Sequence, residues 1–172
     1  PDIGVFYDKK LLCYIDERPE CPGAVFYDKL VPEILSIRVI PGMDPSVFDY
    51  ITAHCRGVVI ESFGVGGIPY YGDNAFEEKI AALMENGVRV VITTQVPHEG
   101  SNLSVYRVGH IIKEKYRVLE ASNMTTEAVI AKMMWALAYS ETREEFEKDM
   151  LKSYETMRKA GIEYKDAPIY IP

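Results

Sequence analysis

Short apolar runs alternate with amphipathic stretches along most of this chain. The runs at residues 34–40, 58–62 and 88–94 are rich in β-branched residues, as is typical of buried strands, and residues 116–121 predict a shorter fourth strand. Between and after these runs, hydrophobic residues recur at helical spacing. The alternation predicts an α/β fold, a small open parallel sheet of about four strands with helices on both faces, flavodoxin-like or Rossmann-like.

Capping residues predict where the helices begin and end. The start signals are Asp44 before Pro45, Asn74 with Glu77, Thr125, and Thr142 with Glu145, and the glycine stops are Gly87 and Gly161. The first predicted helix continues to about Cys55, and the second covers residues 75–85. The third runs to about Tyr139, and the last ends near Lys159.

The third predicted helix is unusually apolar. Between Ala128 and Ala138 its only charged residue is Lys132. One sheet face cannot cover a helix that is apolar on nearly all sides, so a second surface is needed. A partner subunit is one candidate for that surface.

The two ends of the chain are less regular. Residues 1–33 contain several turn signals, and the apolar runs on either side of residues 8–10 fit a short hairpin, although a helix competes there. Residues 162–172 predict an exposed extension.

Charge and composition exclude several classes of function. The chain has a net charge of −7 and no block of Lys or Arg, which argues against nucleic acid or an anionic membrane as partner. No apolar run reaches the ~18 residues of a membrane span, and no secretion signal begins the sequence, so we expect a cytoplasmic protein. The three cysteines lack C-x-x-C spacing, which fits reduced thiols.

Two loops carry the candidate chemistry, because each follows a predicted parallel strand. The first, residues 63–69, is rich in glycine, and the second, residues 95–100, is polar. Neighbouring parallel strands bring their carboxyl ends to one edge of the sheet, so Ser62, Thr94 and Gln95 are predicted to line a shallow polar crevice. The glycines fit either a tight reversal after a buried strand or part of a small-molecule pocket.

Several common chemistries lack the residues that they need. Residues 64–69 (GVGGIP) resemble a dinucleotide fingerprint, but proline replaces the third glycine and the next helix begins too late to hold a pyrophosphate, so no cofactor is expected. The three histidines, His54, His98 and His110, are scattered, so no metal site is expected.

Four stretches together resemble a known family. They are residues 60–69 (IESFGVGGIP), 91–95 (VITTQ), 106–109 (YRVG) and 123–128 (NMTTEA). These stretches and their spacing are similar to the C-terminal domain of cytoplasmic (type I) L-asparaginases over residues 32–140. The resemblance implies a linker-like segment at residues 1–33 and the asparaginase C-terminal α/β domain at residues 34–172.

The resemblance implies a domain of an amidohydrolase that converts asparagine into aspartate and ammonia. In that family an N-terminal domain supplies the catalytic Thr, Asp and Lys, in motifs that are absent here, so this chain is expected to hold no catalytic residue and to be inactive alone. The first residue is Pro1 rather than Met, so we expect a fragment of a longer protein. The expected partners are the missing N-terminal domain and a second copy, since the family's C-terminal domain contributes to dimerisation and to completing a neighbouring subunit's active site.

The resemblance also implies substrate-binding positions. Tyr106 corresponds to a tyrosine that can approach the neighbouring subunit's substrate, and Ser62 and Gly67 lie in the matching glycine stretch. Family members often have Asn where this chain has Gly67, which removes one polar contact.

Some bacterial members bind effector asparagine between an Arg, a Thr and a Cys. The matching positions here are Glu61, Thr94 and Val96, and Gln95 lies among them. A carboxylate in place of the Arg would repel the effector's carboxylate, which argues against an effector site.

Two other functions remain open at this point. The chain fits a stand-alone amino-acid-binding or regulatory module that holds a small ligand between the loops that begin at Gly64 and Gln95. It also fits a purely structural dimerisation domain, which would bind no small molecule.

Overall fold

A computed structural model describes most of the chain. The described residues are 4–7, 10–13, 26–69, 75–96, 100–105 and 107–159. The strands are β1 (Gly4–Tyr7), β2 (Lys10–Cys13), β3 (Ile34–Arg38), β4 (Gly57–Ser62), β5 (Arg89–Thr94) and β6 (Leu119–Glu120). The α-helices are α1 (Val47–His54), α2 (Ala75–Glu85), α3 (Arg107–Tyr116), α4 (Thr126–Tyr139) and α5 (Arg143–Lys159), and a 3-10 turn covers Leu103–Val105.

The central sheet confirms the predicted α/β fold. Strands β3, β4, β5 and β6 lie side by side in chain order, and every pair is parallel. Ile34 pairs with Gly57 and Gly57 with Arg89 at the amino edge, while Ser62 pairs with Thr94 at the carboxyl edge. The loops that follow β4 and β5 therefore leave the sheet at the same edge.

The helices lie on both faces of the sheet, as predicted. Side chains alternate along a strand, so Val58, Ile60 and Val90 face α1, α2 and α3, whereas Val59 and Val91 face α4 and α5. Both layers are cores of buried aliphatic and aromatic side chains.

Capping residues and a turn begin three of the helices. The Thr125 side chain accepts a hydrogen bond from the Ala128 backbone N–H at the start of α4. At α5 the Glu145 carboxylate accepts the Thr142 N–H while the Thr142 hydroxyl accepts the Glu145 N–H, which is the predicted capping box. Helix α1 begins at Val47, two residues later than Pro45, because residues 44–46 form a turn in which Asp44 Oδ1 accepts the Ser46 N–H at 2.8 Å.

Two elements differ from the prediction. The fourth strand is confined to Leu119–Glu120, and helix α3 occupies residues 107–116, where no helix was predicted. Helix α3 buries Gly109 and Ile112. Its place beside α2 is supported by Lys115 and Tyr116, which both contact Glu77.

The N-terminal apolar runs form a hairpin. Strands β1 and β2 pair antiparallel as a separate sheet, with Gly4 opposite Cys13 and Tyr7 opposite Lys10. The hairpin that the turn signals allowed is thereby confirmed. The predicted cap residue Asn74, the glycine stop Gly161 and the tail at 162–172 lie outside the described residues.

Helix α4 is covered by the chain itself. One side packs on the sheet and on α5, where Lys132 Nζ donates to the Met150 carbonyl at 2.6 Å. On another side the Tyr27 ring meets the Trp135 and Tyr139 rings edge-on, with centroids 5.2 and 5.1 Å away. Residues 26–31 and α5 therefore supply a second surface for the apolar helix.

Among the described helices, none is long and apolar enough to cross a membrane.

Candidate functional site

The candidate site is the carboxyl edge of the sheet between β4 and β5. Strand β4 ends at Ser62 and β5 at Thr94, and these residues are partners in the register. The residue after β5 is tied to the end of β4, because the Gln95 N–H donates to the Ser62 carbonyl at 3.1 Å. The two loops thus leave side by side, which is the arrangement predicted from the parallel strands.

The glycine-rich loop reverses the chain directly after β4. Phe63 and Gly67 exchange two backbone hydrogen bonds, of 2.8 Å to the Gly67 carbonyl and 2.7 Å to the Phe63 carbonyl. Gly64 lies within the reversal at φ 48°, a backbone conformation that other residues adopt at a cost. Of the two interpretations of these glycines, the tight reversal is present.

The polar side chains at this edge form hydrogen bonds with backbone groups. The Ser62 hydroxyl is fully buried and donates to the Thr93 carbonyl at 2.7 Å. Thr94 donates its hydroxyl to the Gly64 carbonyl and accepts the Val96 N–H at 2.9 Å. These hydroxyl groups hold the strand ends and the loops together.

The Gln95 side chain has the same kind of role. Its Nε2 donates to the carbonyls of Val39 and Glu61 at 2.7 and 3.0 Å. One amide therefore bridges the ends of β3, β4 and β5. Ser62, Thr94 and Gln95 do lie close together, but their hydrogen-bonding atoms are directed at the protein backbone.

The four positions matched to an effector site lie on both faces of the sheet. Glu61 shares its register with Arg38 and Thr93, and its carboxylate Oε2 accepts a hydrogen bond from Arg38 Nε at 3.1 Å. Thr94 belongs to the opposite face, because side chains alternate along β5. Val96 is held to Thr94 through its backbone. The Glu61 carboxylate is thus paired with a neighbouring arginine.

A third segment packs against the glycine loop. The Asn102 N–H donates to the Val65 carbonyl, and the Ser101 N–H donates to the Ser122 carbonyl at 2.8 Å. Gly66 comes so close to this segment that an added Cβ would lie 2.9 Å from the Asn102 oxygen and from Leu103 Cα. Residues 100–105 are therefore fixed against the loop after β4.

Glu120 is a residue of this edge that sequence reasoning missed. One oxygen of its carboxylate accepts the Leu103 N–H, and the other accepts from Lys113 Nζ at 2.6 Å. Its side chain is only 14% exposed. An acidic residue inside a short apolar strand was the available signal, since a half-buried carboxylate needs partners of this kind.

Tyr106 and residues 97–99 lie outside the described residues. The flanking residues are described: Val105 is 57% exposed, and α3 begins at Arg107. Within the described part of the chain, no three His, Cys, Asp or Glu side chains are grouped so as to hold a metal ion. Cys55 is a free, half-buried thiol, and burial raises its pKa.

The structure is that of a small α/β domain. It has an open parallel sheet, and a glycine-rich reversal follows β4 at the carboxyl edge. Over residues 33–150 the chain matches the family described as the glutaminase/asparaginase C-terminal domain, and it belongs to that family.

Two relatives show how the domain is used elsewhere. The chain is 35% identical over 150 residues to an L-asparaginase of Thermococcus kodakarensis, a match that covers 87% of this chain and 45% of the relative. It is 31% identical over 128 residues to a glutamyl-tRNA(Gln) amidotransferase subunit from Pyrococcus abyssi, covering 74% of this chain and 28% of the relative.

Solved structures agree with the sequence relatives. The thermostable L-asparaginase from Thermococcus kodakarensis superposes with a TM-score of 0.71 at 34% identity, over 87% of this chain and 45% of that one. L-asparaginase I from Vibrio cholerae gives a TM-score of 0.66 at 26% identity, over 80% and 40%. The chain thus spans less than half the length of these relatives.

Proposed function

We propose that this chain is the C-terminal domain of an L-asparaginase, an amidohydrolase that releases ammonia from asparagine. The proposal is supported by the 35% identity to the Thermococcus kodakarensis L-asparaginase across 87% of the chain. In this proposal the catalytic Thr, Asp and Lys belong to another domain. The C-terminal domain supplies a shaped edge that completes a neighbouring subunit's active site.

The observation that carries this role is the contact between the glycine loop and residues 100–105. Buried Leu103 and the short approach at Gly66 fix the backbone three residues before Tyr106. A backbone that is already anchored near a binding residue loses less conformational entropy when a ligand binds. We therefore assign Tyr106 to the substrate, and its hydroxyl can donate or accept a hydrogen bond there.

Ser62 and Gly67 have a different role in the proposal. The Ser62 hydroxyl is buried and bonded to Thr93, and the backbone of Gly67 is bonded to Phe63. Both residues shape the chain reversal after β4, and residues 100–105 pack against that reversal. In this proposal Ser62 and Gly67 position the backbone of the site, while the Tyr106 side chain contacts the substrate.

The effector positions favour an unregulated domain. The Glu61 carboxylate occupies the place of a carboxylate-binding Arg and is already paired with Arg38. An amino-acid effector would bring a second carboxylate next to it. We propose that no amino acid is held at Glu61, Thr94, Gln95 and Val96.

We also propose that the domain forms a homo-oligomer in the cytoplasm. Residues 26–31 and α5 cover much of α4, so the apolar surface left for a partner includes the exposed side chains of Phe26, Leu30 and Ile40. Light scattering at high micromolar concentration tests this, and a strictly monomeric chain would contradict it. The free thiol of Cys55 and the absence of C-x-x-C spacing support a reducing compartment.

The matches to the amidotransferase give a second candidate. Identity to the Pyrococcus abyssi protein is 31%, over 74% of this chain. In that case the domain would belong to one subunit of an assembly whose activity needs a partner, and asparagine alone would not be its substrate. Lower identity and coverage make this the weaker candidate.

A chimera distinguishes the two candidates. Residues 33–150 of this chain replace the matching segment of the Thermococcus kodakarensis L-asparaginase, and ammonia release from asparagine is measured. We expect asparagine-dependent turnover by the chimera and none by the purified 172-residue chain. A chimera that has the parent enzyme's oligomeric state and secondary structure but no turnover would contradict the proposal.

A further inference from the structure

A cluster of arginines lies at the amino edge of the sheet, away from the candidate site. Arg89 begins β5, Arg117 follows α3, and Arg143 begins α5. Together with Glu147 they line a pocket of about 20 Å³ whose remaining walls are mostly apolar. A pocket of this size admits one or two oxygen-sized atoms.

The carboxylate of Glu147 is the main anion in the pocket, and two arginines share it. Arg143 Nε donates to Glu147 Oε1 at 2.7 Å, and Arg117 Nη2 donates to Glu147 Oε2 at 3.3 Å. Arg143 Nη2 is bonded to the carbonyls of Tyr116 and Arg117, both at 3.0 Å. Glu147 is therefore fully engaged by two of the three guanidinium groups.

The Arg89 guanidinium has no hydrogen-bond acceptor among the described residues. Its guanidinium carbon lies 5.8 Å from the centre of the Phe146 ring. Burial and the charge of Arg143 lower the pKa of Arg89, against the carboxylates of Glu147 and Glu144, which raise it. The pocket is thus lined by three arginines and one carboxylate, in a chain whose net charge is −7.

The backbone of Arg117 also suggests that its side chain is needed here. Arg117 has φ 54° at the position that follows α3, where its N–H bonds to the Lys113 carbonyl at 2.9 Å. Glycine is the usual residue in that conformation, and a long side chain is less favourable. The arginine side chain reaches the pocket from this strained position.

We propose that the pocket binds a small oxyanion, a phosphate or a carboxylate. Arginine presents two parallel N–H groups that match both kinds of anion, and Arg89 is available to do so. One oxygen of the anion enters the pocket and the remainder lies at its mouth, near Arg117. The ligand supplies the negative charge that Glu147 alone does not.

The test measures thermal stability of the purified chain at constant ionic strength. Potassium phosphate or potassium aspartate replaces potassium chloride stepwise, and the melting temperature is recorded. A ligand that binds only the folded state raises the melting temperature with concentration. We expect such a rise with phosphate, with aspartate or with both, and the arm that responds identifies the anion. Equal melting temperatures in all three salts would overturn the proposal.

Two variants show whether the arginine pocket is responsible. Arg89→Met keeps a flexible apolar stem over Phe146 and removes the charge, so we expect the anion to bind about tenfold more weakly or not at all. In chloride the same variant should melt no lower than the parent chain, because an unmatched cation has been removed. Arg38→Met is the matched control, since Arg38 is exposed and pairs with Glu61 at the other edge. An anion response that Arg89→Met retains in full would also overturn the proposal.

Glu147→Gln tests the site in the opposite direction. Removal of the competing carboxylate leaves the three arginines to the ligand, so we expect the anion to bind about tenfold more tightly. If the arginines serve only as structural ion pairs, this variant would lose stability and gain no anion response, which contradicts the proposal. Should Glu147→Gln fail to fold, Arg89→Met and its control decide the question.

Discussion

The carboxylate of Glu120 accepts the backbone N–H of Leu103, seventeen residues earlier in the chain. The same carboxylate is paired with Lys113 on α3. One half-buried side chain in β6 therefore connects the strand with both segments that flank Tyr106. Through this link Glu120 helps to fix the geometry of the candidate site.

Removal of this carboxylate should loosen the site and destabilise the fold. We expect Glu120→Ala to lower the free energy of unfolding by about 2 kcal/mol, because it leaves the Leu103 N–H and the Lys113 ammonium without their partner. Glu120→Gln keeps one acceptor and should lose about half as much. Urea denaturation measures both. Glu114→Ala is the control, since Glu114 is exposed on α3, and equal losses in Glu120→Ala and the control would contradict this role.

The second prediction concerns Gly109, where α3 passes close to the backbones of Leu103 and Gly66. An added Cβ at Gly109 would lie 2.7 Å from the Leu103 oxygen and 2.8 Å from the Gly66 oxygen. Alanine normally stabilises a helix by about 1 kcal/mol relative to glycine. Here the clash is with two backbones, so we expect Gly109→Ala to destabilise the domain by about 1–3 kcal/mol.

The neighbouring position gives the control for Gly109→Ala. His110 is exposed on the same turn of α3, so His110→Ala should change the unfolding free energy by less than about 0.5 kcal/mol. An increase in stability in Gly109→Ala would show that α3 does not pass as close to Gly66 and Leu103 as it does in this structure.

The fold was largely predictable because strands and helices have different hydrophobic periods. The buried β-branched runs at β3, β4 and β5 and the caps at Thr125 and Thr142 led to the correct elements. Helix α3 was missed because Gly109 and three β-branched residues disfavour a helix locally. The helix is held in place by burial of Ile112 in the core and by contacts with Glu77 and Glu120, which a sequence alone does not display.

The site was predictable in location and less so in detail. Parallel neighbours were enough to bring the loops after Ser62 and Thr94 to one edge. Whether a hydroxyl at that edge faces a ligand or a carbonyl depends on distances of a few tenths of an ångström, which the sequence does not contain. One available signal was the alternation of side chains along β4, which places Ser62 on the same face as the buried Val58 and Ile60.

The aromatic cluster over α4 makes a third prediction, which uses the chain's single tryptophan. Tyr27 covers Trp135, and Tyr139 anchors the segment by accepting the Asp28 N–H at 2.8 Å and the Lys29 N–H at 3.1 Å. We expect Tyr27→Ala to expose Trp135, shift its fluorescence to longer wavelength and destabilise the domain by about 1–2 kcal/mol. Phe26 is 89% exposed, so Phe26→Ala should leave the emission unchanged.

An unchanged emission in Tyr27→Ala at every protein concentration would contradict the cover that residues 26–31 provide. An emission shift that appears only on dilution would instead indicate that a second copy of the chain covers α4.

The most direct test of the account is the hydroxyl of Tyr106 in an active enzyme. In the asparaginase chimera that carries residues 33–150, Tyr106→Phe removes one hydroxyl and keeps the ring. Loss of a hydrogen bond of about 0.5–1.5 kcal/mol predicts a decrease in kcat/KM of about twofold to tenfold, with the melting temperature unchanged. Tyr50→Phe, which changes an exposed tyrosine of α1, should have no effect. If kcat/KM for asparagine is the same in Tyr106→Phe, Tyr50→Phe and the parent chimera, this domain does not complete the active site through Tyr106.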